Sequence, residues 1–215
     1  MIPLRITFFT LSLTAALLFA APLCSAQEVR ADCPEKTAWD YYIPKGGLFA
    51  EDPAEEHFLK IIPHVFLETM GEHSLSCGKQ ETAFRFLIHR SFHSSVAVRI
   101  SQSKNKIILD AVEQEPGEIS AIGRQRRKRA EITQGQLDTL ISLMNKADIW
   151  SRTLTRKEVN ETRTHLDGSV WLFESVKDDR YKAVTFRTPS EKNVKNLGIE
   201  FLKLTGWDYP EDQIY

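Results

Sequence analysis

Cysteine is scarce here, with three in 215 residues. Cys24 lies in an N-terminal apolar region, and the two that remain, Cys33 and Cys77, have no third or fourth partner for a structural zinc site. Glycine and proline are few as well, ten and nine, and they gather into neither a phosphate-binding loop nor a flexible linker. Gly-x-Ser-x-Gly and His-Glu-x-x-His are both missing, so the common hydrolase and metalloprotease signatures are excluded. An excess of one charge is missing too: 28 Lys plus Arg stand against 29 Asp plus Glu, a net charge of −1. A chain this balanced has no global basic field, which argues against nucleic acid as a partner.

What is present begins with an export signal. Arg5 gives a short positive start, Ile6 to Ala21 is an apolar run, and Cys24-Ser25-Ala26 ends in small residues of the kind a signal peptidase reads. The run is short of the roughly 20 residues a membrane helix needs, so residues 1–26 read as a removable signal peptide and not as an anchor. The expectation is an exported protein, periplasmic or secreted, whose mature chain starts near Gln27 and has no transmembrane segment. Loss of Arg5 then leaves 27 basic against 29 acidic residues. In an oxidising compartment the natural reading of Cys33 and Cys77 is one disulfide, worth about 4 kcal/mol in the chain-entropy model; two reduced thiols are the alternative.

The mature length fits one domain, with residues 27–51 irregular and residues 52–215 forming a single α+β unit. Asp52-Pro53-Ala54-Glu55 reads as a helix start, with Phe58, Leu59 and Ile62 on its apolar face and Pro63 as a kink or stop. Beyond Gly78 the apolar period falls to two. Phe84, Phe86 and Ile88, then Val96, Val98 and Ile100, then Ile107, Leu109 and Ala111 predict three meander strands. Thr133-Gln134-Gly135-Gln136 is a capping-box pattern opening a helix that runs to about Trp150. Val170–Val176 and Tyr181–Arg187 read as a hairpin, and Pro189-Ser190 opens a last helix that ends before Gly206. Together these predict a mainly antiparallel sheet of about five to six strands, with two to three helices packed on one face.

The densest charge is Arg124-Gln125-Arg126-Arg127-Lys128-Arg129. Strand alternation puts Arg124, Arg126 and Lys128 on one face and Arg127 and Arg129 on the other, so neither face suits a core. The segment is predicted to be an exposed edge, ribbon or loop, where positive charge also blocks unwanted edge-to-edge pairing. The functional alternative makes Arg124, Arg126, Arg127, Lys128 and Arg129 a contact surface for an anionic envelope component or an acidic protein.

For acid–base chemistry, Asp167 and Glu174 are the best carboxylate pair, with His165 nearby. On an extended strand their spacing sends the two side chains to opposite faces, and a glutamate pairing with an arginine across the sheet explains Glu174 as well. His89 and His93 have a spacing seen in zinc sites, yet neither they nor His64 with Glu68 has an evident third ligand. No cofactor or metal is implied.

The segments GEHSLSCG (71–78), RFLIHRSFHSSVAVRI (85–100), ADIW (147–150) and LDGSVWLFESVKDDRYKAVTFRTPSEKNVKNLGIEFLKLTG (166–206) resemble a family of small bacterial exported proteins of no assigned activity. The most distinctive part is the Asp-Gly-x-x-Trp-x-x-Glu run at Asp167, Gly168, Trp171 and Glu174. The resemblance implies a bacterial, exported protein. The functional expectation is a non-enzymatic binding or interaction module, inhibitor-like or immunity-like; the alternative is a hydrolase of an envelope substrate using Asp167 and Glu174, with His165.

Overall fold

The structure, a computed structural model, describes residues 27–28, 32–48, 53–77, 82–104, 106–116, 123–154, 168–210 and 213–214. In chain order the elements are β1 (Gln27–Glu28), α1 (Pro53–Thr69), β2 (Thr82–Arg90), β3 (His93–Ser103), β4 (Lys106–Gln114), β5 (Gln125–Glu131), α2 (Gln134–Lys146), β6 (Ser169–Lys177), β7 (Arg180–Arg187) and α3 (Lys192–Leu204). Six full strands and the two-residue β1 form one antiparallel sheet in the order β1-β7-β6-β2-β3-β4-β5. The predicted α+β architecture and strand number hold. Among the described residues, no helix is long and apolar enough to cross a membrane.

Local chemistry accounts for most element ends. Thr133 caps α2, with both halves of the capping box made: Gln136 N donates to Thr133 Oγ1 at 3.3 Å, and Thr133 N donates to Gln136 Oε1 at 2.8 Å. The β6–β7 turn places Asp178 and Asp179 at φ 52° and 57°, the left-handed pair that a tight hairpin of matching twist requires. Two helix bounds differ from expectation. α2 ends at Lys146, four residues before Trp150, and α3 begins at Lys192, not at Pro189-Ser190.

Pro63 neither ends nor interrupts α1, which continues to Thr69. A proline removes one backbone bond from the ladder, whereas the turns beyond it bury Leu67 and Met70 completely. The helix closes three residues later in a Schellman arrangement. Glu72 N donates to Leu67 O and Gly71 N to Glu68 O, with Gly71 at φ 68°, where only glycine is unstrained.

Two of the three helices share one face, within the expected range, and α1 lies on the other. Paired residues point to the same side of an antiparallel sheet, so Phe86 and Phe173 lie together and meet Phe201 of α3 at ring-centroid distances of 5.6 and 6.2 Å. α2 and α3 cover that side. On the other side Phe66 of α1 stacks on His89 of β2 at 4.0 Å. Cover on both faces explains why eight consecutive residues of β6 are buried, where a half-wet strand would alternate. The closest fit is at Gly198 of α3, where an added Cβ would lie 2.1 Å from Trp171 Cζ3.

Gln27–Glu28 departs from the expected irregular segment by pairing with β7 as β1, whereas the segment 32–48 has no helix or strand and yet belongs to the core, with Tyr42, Ile43 and Leu48 buried. Its polar groups are met by α1. Glu56 accepts from Gly46 N at 2.7 Å and Leu48 N at 3.2 Å, and Lys60 Nζ donates to Pro44 O at 2.8 Å. Cys33 comes within 2.6 Å of Cys77. A sulfur–sulfur bond measures about 2.05 Å, so the two are brought side by side without closing the expected disulfide.

Candidate functional site

Of the edge, ribbon and loop that the sequence left open, the polybasic run takes the edge: from Gln125 on it forms β5, the last strand of the sheet, with Arg124 just before it. Its side chains have more specific duties than exposure. On the face toward α1, Gln125 Nε2 donates to Thr69 O at 2.8 Å, and Arg127 Nη2 donates to Met70 O at 2.6 Å. These two carbonyls are left over by the Schellman closure of α1, a helix with no basic residue in its own last turn. On the opposite face Lys128 Nζ donates at 2.6 Å to the carbonyl of Thr205, the C-cap of α3. One edge strand thus places positive groups on the negative ends of two helices lying on opposite sides of the sheet.

The other cations are distributed unequally. Arg126 pairs with Glu113 and sits 4.3 Å over the Trp207 ring. Arg129 reaches Asp110 at 3.3 Å but remains 73% exposed. Arg124 is exposed. Among the described residues, Arg124, Arg127 and Lys128 have no carboxylate within 4.0 Å, so positive charge is in surplus along this edge.

A second constellation runs across the α1 face. Glu174, Arg85, Arg99, Asp110 and Arg129 are successive register partners on β6, β2, β3, β4 and β5. Arg85 Nε donates to Glu174 Oε2 at 2.6 Å; Arg85 Nη2 is equally close to that oxygen, in ionic contact only. Tyr181 Oη donates to Glu174 Oε1 at 2.8 Å. Arg85 and Arg99 are neighbours of like charge, and Glu72 resolves the conflict by entering between them, at 3.3 and 3.1 Å. Three carboxylates and three guanidiniums therefore balance.

The two inner carboxyls respond differently to this setting. Burial pushes Glu174 up, against the pull of Arg85 and Tyr181. Burial also acts on Glu72, but two guanidiniums outweigh it and hold that carboxyl below the usual carboxylate range. Neither Arg85 nor Glu174 has any exposed surface, so that inner pair is closed to a substrate, whereas Arg129 at the outer end of the row is exposed. His165 and Asp167 lie outside the described residues, and Glu174 is committed to Arg85. Arg85 is the arginine across the sheet that the sequence led one to expect for Glu174, whereas Glu72, Arg99 and Asp110 were not legible there; the strand residues among them showed only as charges set between apolar neighbours.

A small cavity of about 80 Å³ lies between α1 and the ends of β2, β3 and β4, lined by residues that include Phe66, His89, His93, Ser95 and Glu115. His89 Nδ1 is 2.9 Å from Ser95 Oγ. That resembles a nucleophile and base, but burial, reinforced by Arg187 and Arg90, pushes the imidazole down to about 4. So weak a base is poorly matched to proton transfer near neutral pH. His89 and His93 line the same cavity, yet among the described residues no group of three metal-ligating side chains converges.

No protein-family model matches the chain, and no curated protein matches it.

Proposed function

We propose that this is an exported envelope protein, periplasmic or secreted, whose mature domain is a non-enzymatic interaction module that engages an anionic partner along β5. The observation that carries the reading is the surplus of positive charge at a terminal strand: among the described residues Arg124, just before β5, and Arg127 and Lys128 within it have no carboxylate within 4.0 Å, and Arg129 is largely exposed. Such an edge attracts anions at long range and repels other basic edges. An inhibitor or immunity factor acts in this way, by covering a partner. The hydrolase alternative needs Glu174 at a substrate, whereas that carboxylate is buried against Arg85. The disulfide belongs to the proposal as well, because export into an oxidising compartment would act on Cys33 and Cys77 already side by side.

The test uses the mature chain and poly-L-glutamate as probe. Poly-L-glutamate should be retained and poly-L-lysine should not, and retention should fall as ionic strength passes about 0.1 M, where the Debye length is about 10 Å. Equal retention of both polymers, or of neither, refutes an anion-directed edge. Export is checked separately: the secreted form should begin at Gln27 and resist thiol alkylation until reduced.

A further inference from the structure

We infer that β5 accepts an extended acidic segment of a partner protein as an eighth strand of the sheet. The inference rests on the anionic-partner reading above and deepens it. Two hydrogen bonds fix the phase of the edge: Glu115 N donates to Arg124 O and Ile132 N to Ile107 O. Together with the register of Gln114↔Gln125 through Ile108↔Glu131, they mean that even-numbered residues of β5 turn their backbone toward β4. Gln125, Arg127, Arg129 and Glu131 turn theirs outward, and no described backbone group bonds to them. A row of alternating donors and acceptors is complementary to another peptide strand. A lipid or polysaccharide surface offers no such repeat.

Charge selects the occupant. The side chains of Arg127 and Arg129 project beside the outward backbone groups, so the added strand would set a residue directly opposite each. Carboxylates two residues apart fit those positions. A second copy of this chain fits less well: centred β5-to-β5 pairing would oppose Arg127 to Arg129, and the sheet's other edge is the two-residue β1, beyond which Gly47 O already takes up Ala183 N of β7. Lys128 and Arg126 are held on the opposite face by Thr205 and Glu113, which ties the strand to its own domain without using the outward backbone groups.

The experiment titrates the mature protein with a synthetic peptide of alternating glutamate and valine as long as β5. Controls are the same peptide with a central proline, its lysine–valine counterpart, and phosphatidylglycerol vesicles. The acidic peptide should bind, and amide exchange should slow at Gln125, Arg127, Arg129 and Glu131. Proline should weaken binding roughly tenfold or more, because it removes strand hydrogen bonds and leaves charge unchanged. Arg129→Glu, at a side chain too exposed to threaten folding, should weaken it as well. Equal binding of the acidic and proline peptides, or vesicle binding without peptide binding, overturns strand addition while leaving an anionic contact surface. Binding of no acidic probe overturns both.

Discussion

Replacing Lys128 by methionine should cost far more stability than its place in a basic edge suggests. Its Nζ is 2.6 Å from the carbonyl of Thr205, a residue with no exposed surface. Methionine keeps the stem and leaves that carbonyl without its donor. A hydrogen bond to a charged group is worth about 1.5–3 kcal/mol net, and a cation at a helix C-terminus about 0.3–1 kcal/mol. Water reaching the part-buried site offsets some of this, so a loss of about 1–2 kcal/mol is expected, or roughly 2–8 °C in Tm for a domain this size. Arg129→Met is the control, because Arg129 is 73% exposed and its partner Asp110 also has Arg99; its cost should stay under about 0.5 kcal/mol. Urea unfolding followed by tryptophan fluorescence measures both. A Lys128→Met loss no larger than that of Arg129→Met would show that β5 does not hold α3. By the same reasoning Arg127→Met, which frees the Met70 carbonyl, should fall between the two.

Three further outcomes follow from particular contacts. Arg85→Met should cost about 3–5 kcal/mol at neutral pH, because it strands Glu174 in the interior; its carboxyl, already pushed up by burial, would rise further, so the loss should shrink as pH falls and that group is protonated. Glu72 is held below the usual carboxylate range, so the stability it contributes is present above its unfolded pKa and lost as pH falls through the folded value; stability curves of Glu72→Gln between about pH 5 and pH 3 should be flatter than those of the parent. Gly198→Ala gains about 1 kcal/mol of helix propensity but drives a methyl to 2.1 Å from a Trp171 ring that is fully buried, so thermal unfolding should show net destabilisation of about 1–3 kcal/mol.

The sequence was informative wherever a structural cause is local. A capping box, a strand period and a two-aspartate turn act within a few residues, and α2, the meander and the β6–β7 hairpin were readable for that reason. Burial on both faces was also written in the chain, as the unbroken apolar run of Val170, Trp171, Leu172 and Phe173, but a period of two directs attention to one face only. The duties of β5 were not readable. Lys128 meets a carbonyl 77 residues away and Arg127 one 57 residues away, and no local pattern marks a backbone acceptor at that distance. The charged row had the same obstacle. Arg85 between Phe84 and Phe86 looks like an outward-facing residue until register sets it beside Glu174 under the cover of Glu72.

That row bears on how the sheet chooses its register. Where one face is wet, a one-residue slip exposes apolar side chains and is rejected strongly. Here both faces are covered, so a slip of β6 against β2 exchanges one apolar contact for another, and hydrophobicity discriminates weakly. It would, however, move Glu174 to the face opposite Arg85 and leave two buried charges apart, at a cost of several kcal/mol. The ion pair therefore specifies register more than it adds stability. Arg85→Met combined with Glu174→Leu separates the two roles, since Glu72 keeps Arg99 as its partner at 3.1 Å. The double variant should recover most of the stability lost in Arg85→Met, yet show duplicated or broadened amide resonances in β2 and β6. A single sharp set with the Arg85↔Glu174 register unchanged would mean that side-chain packing around Trp171 and Phe173 fixes the register without help from charge.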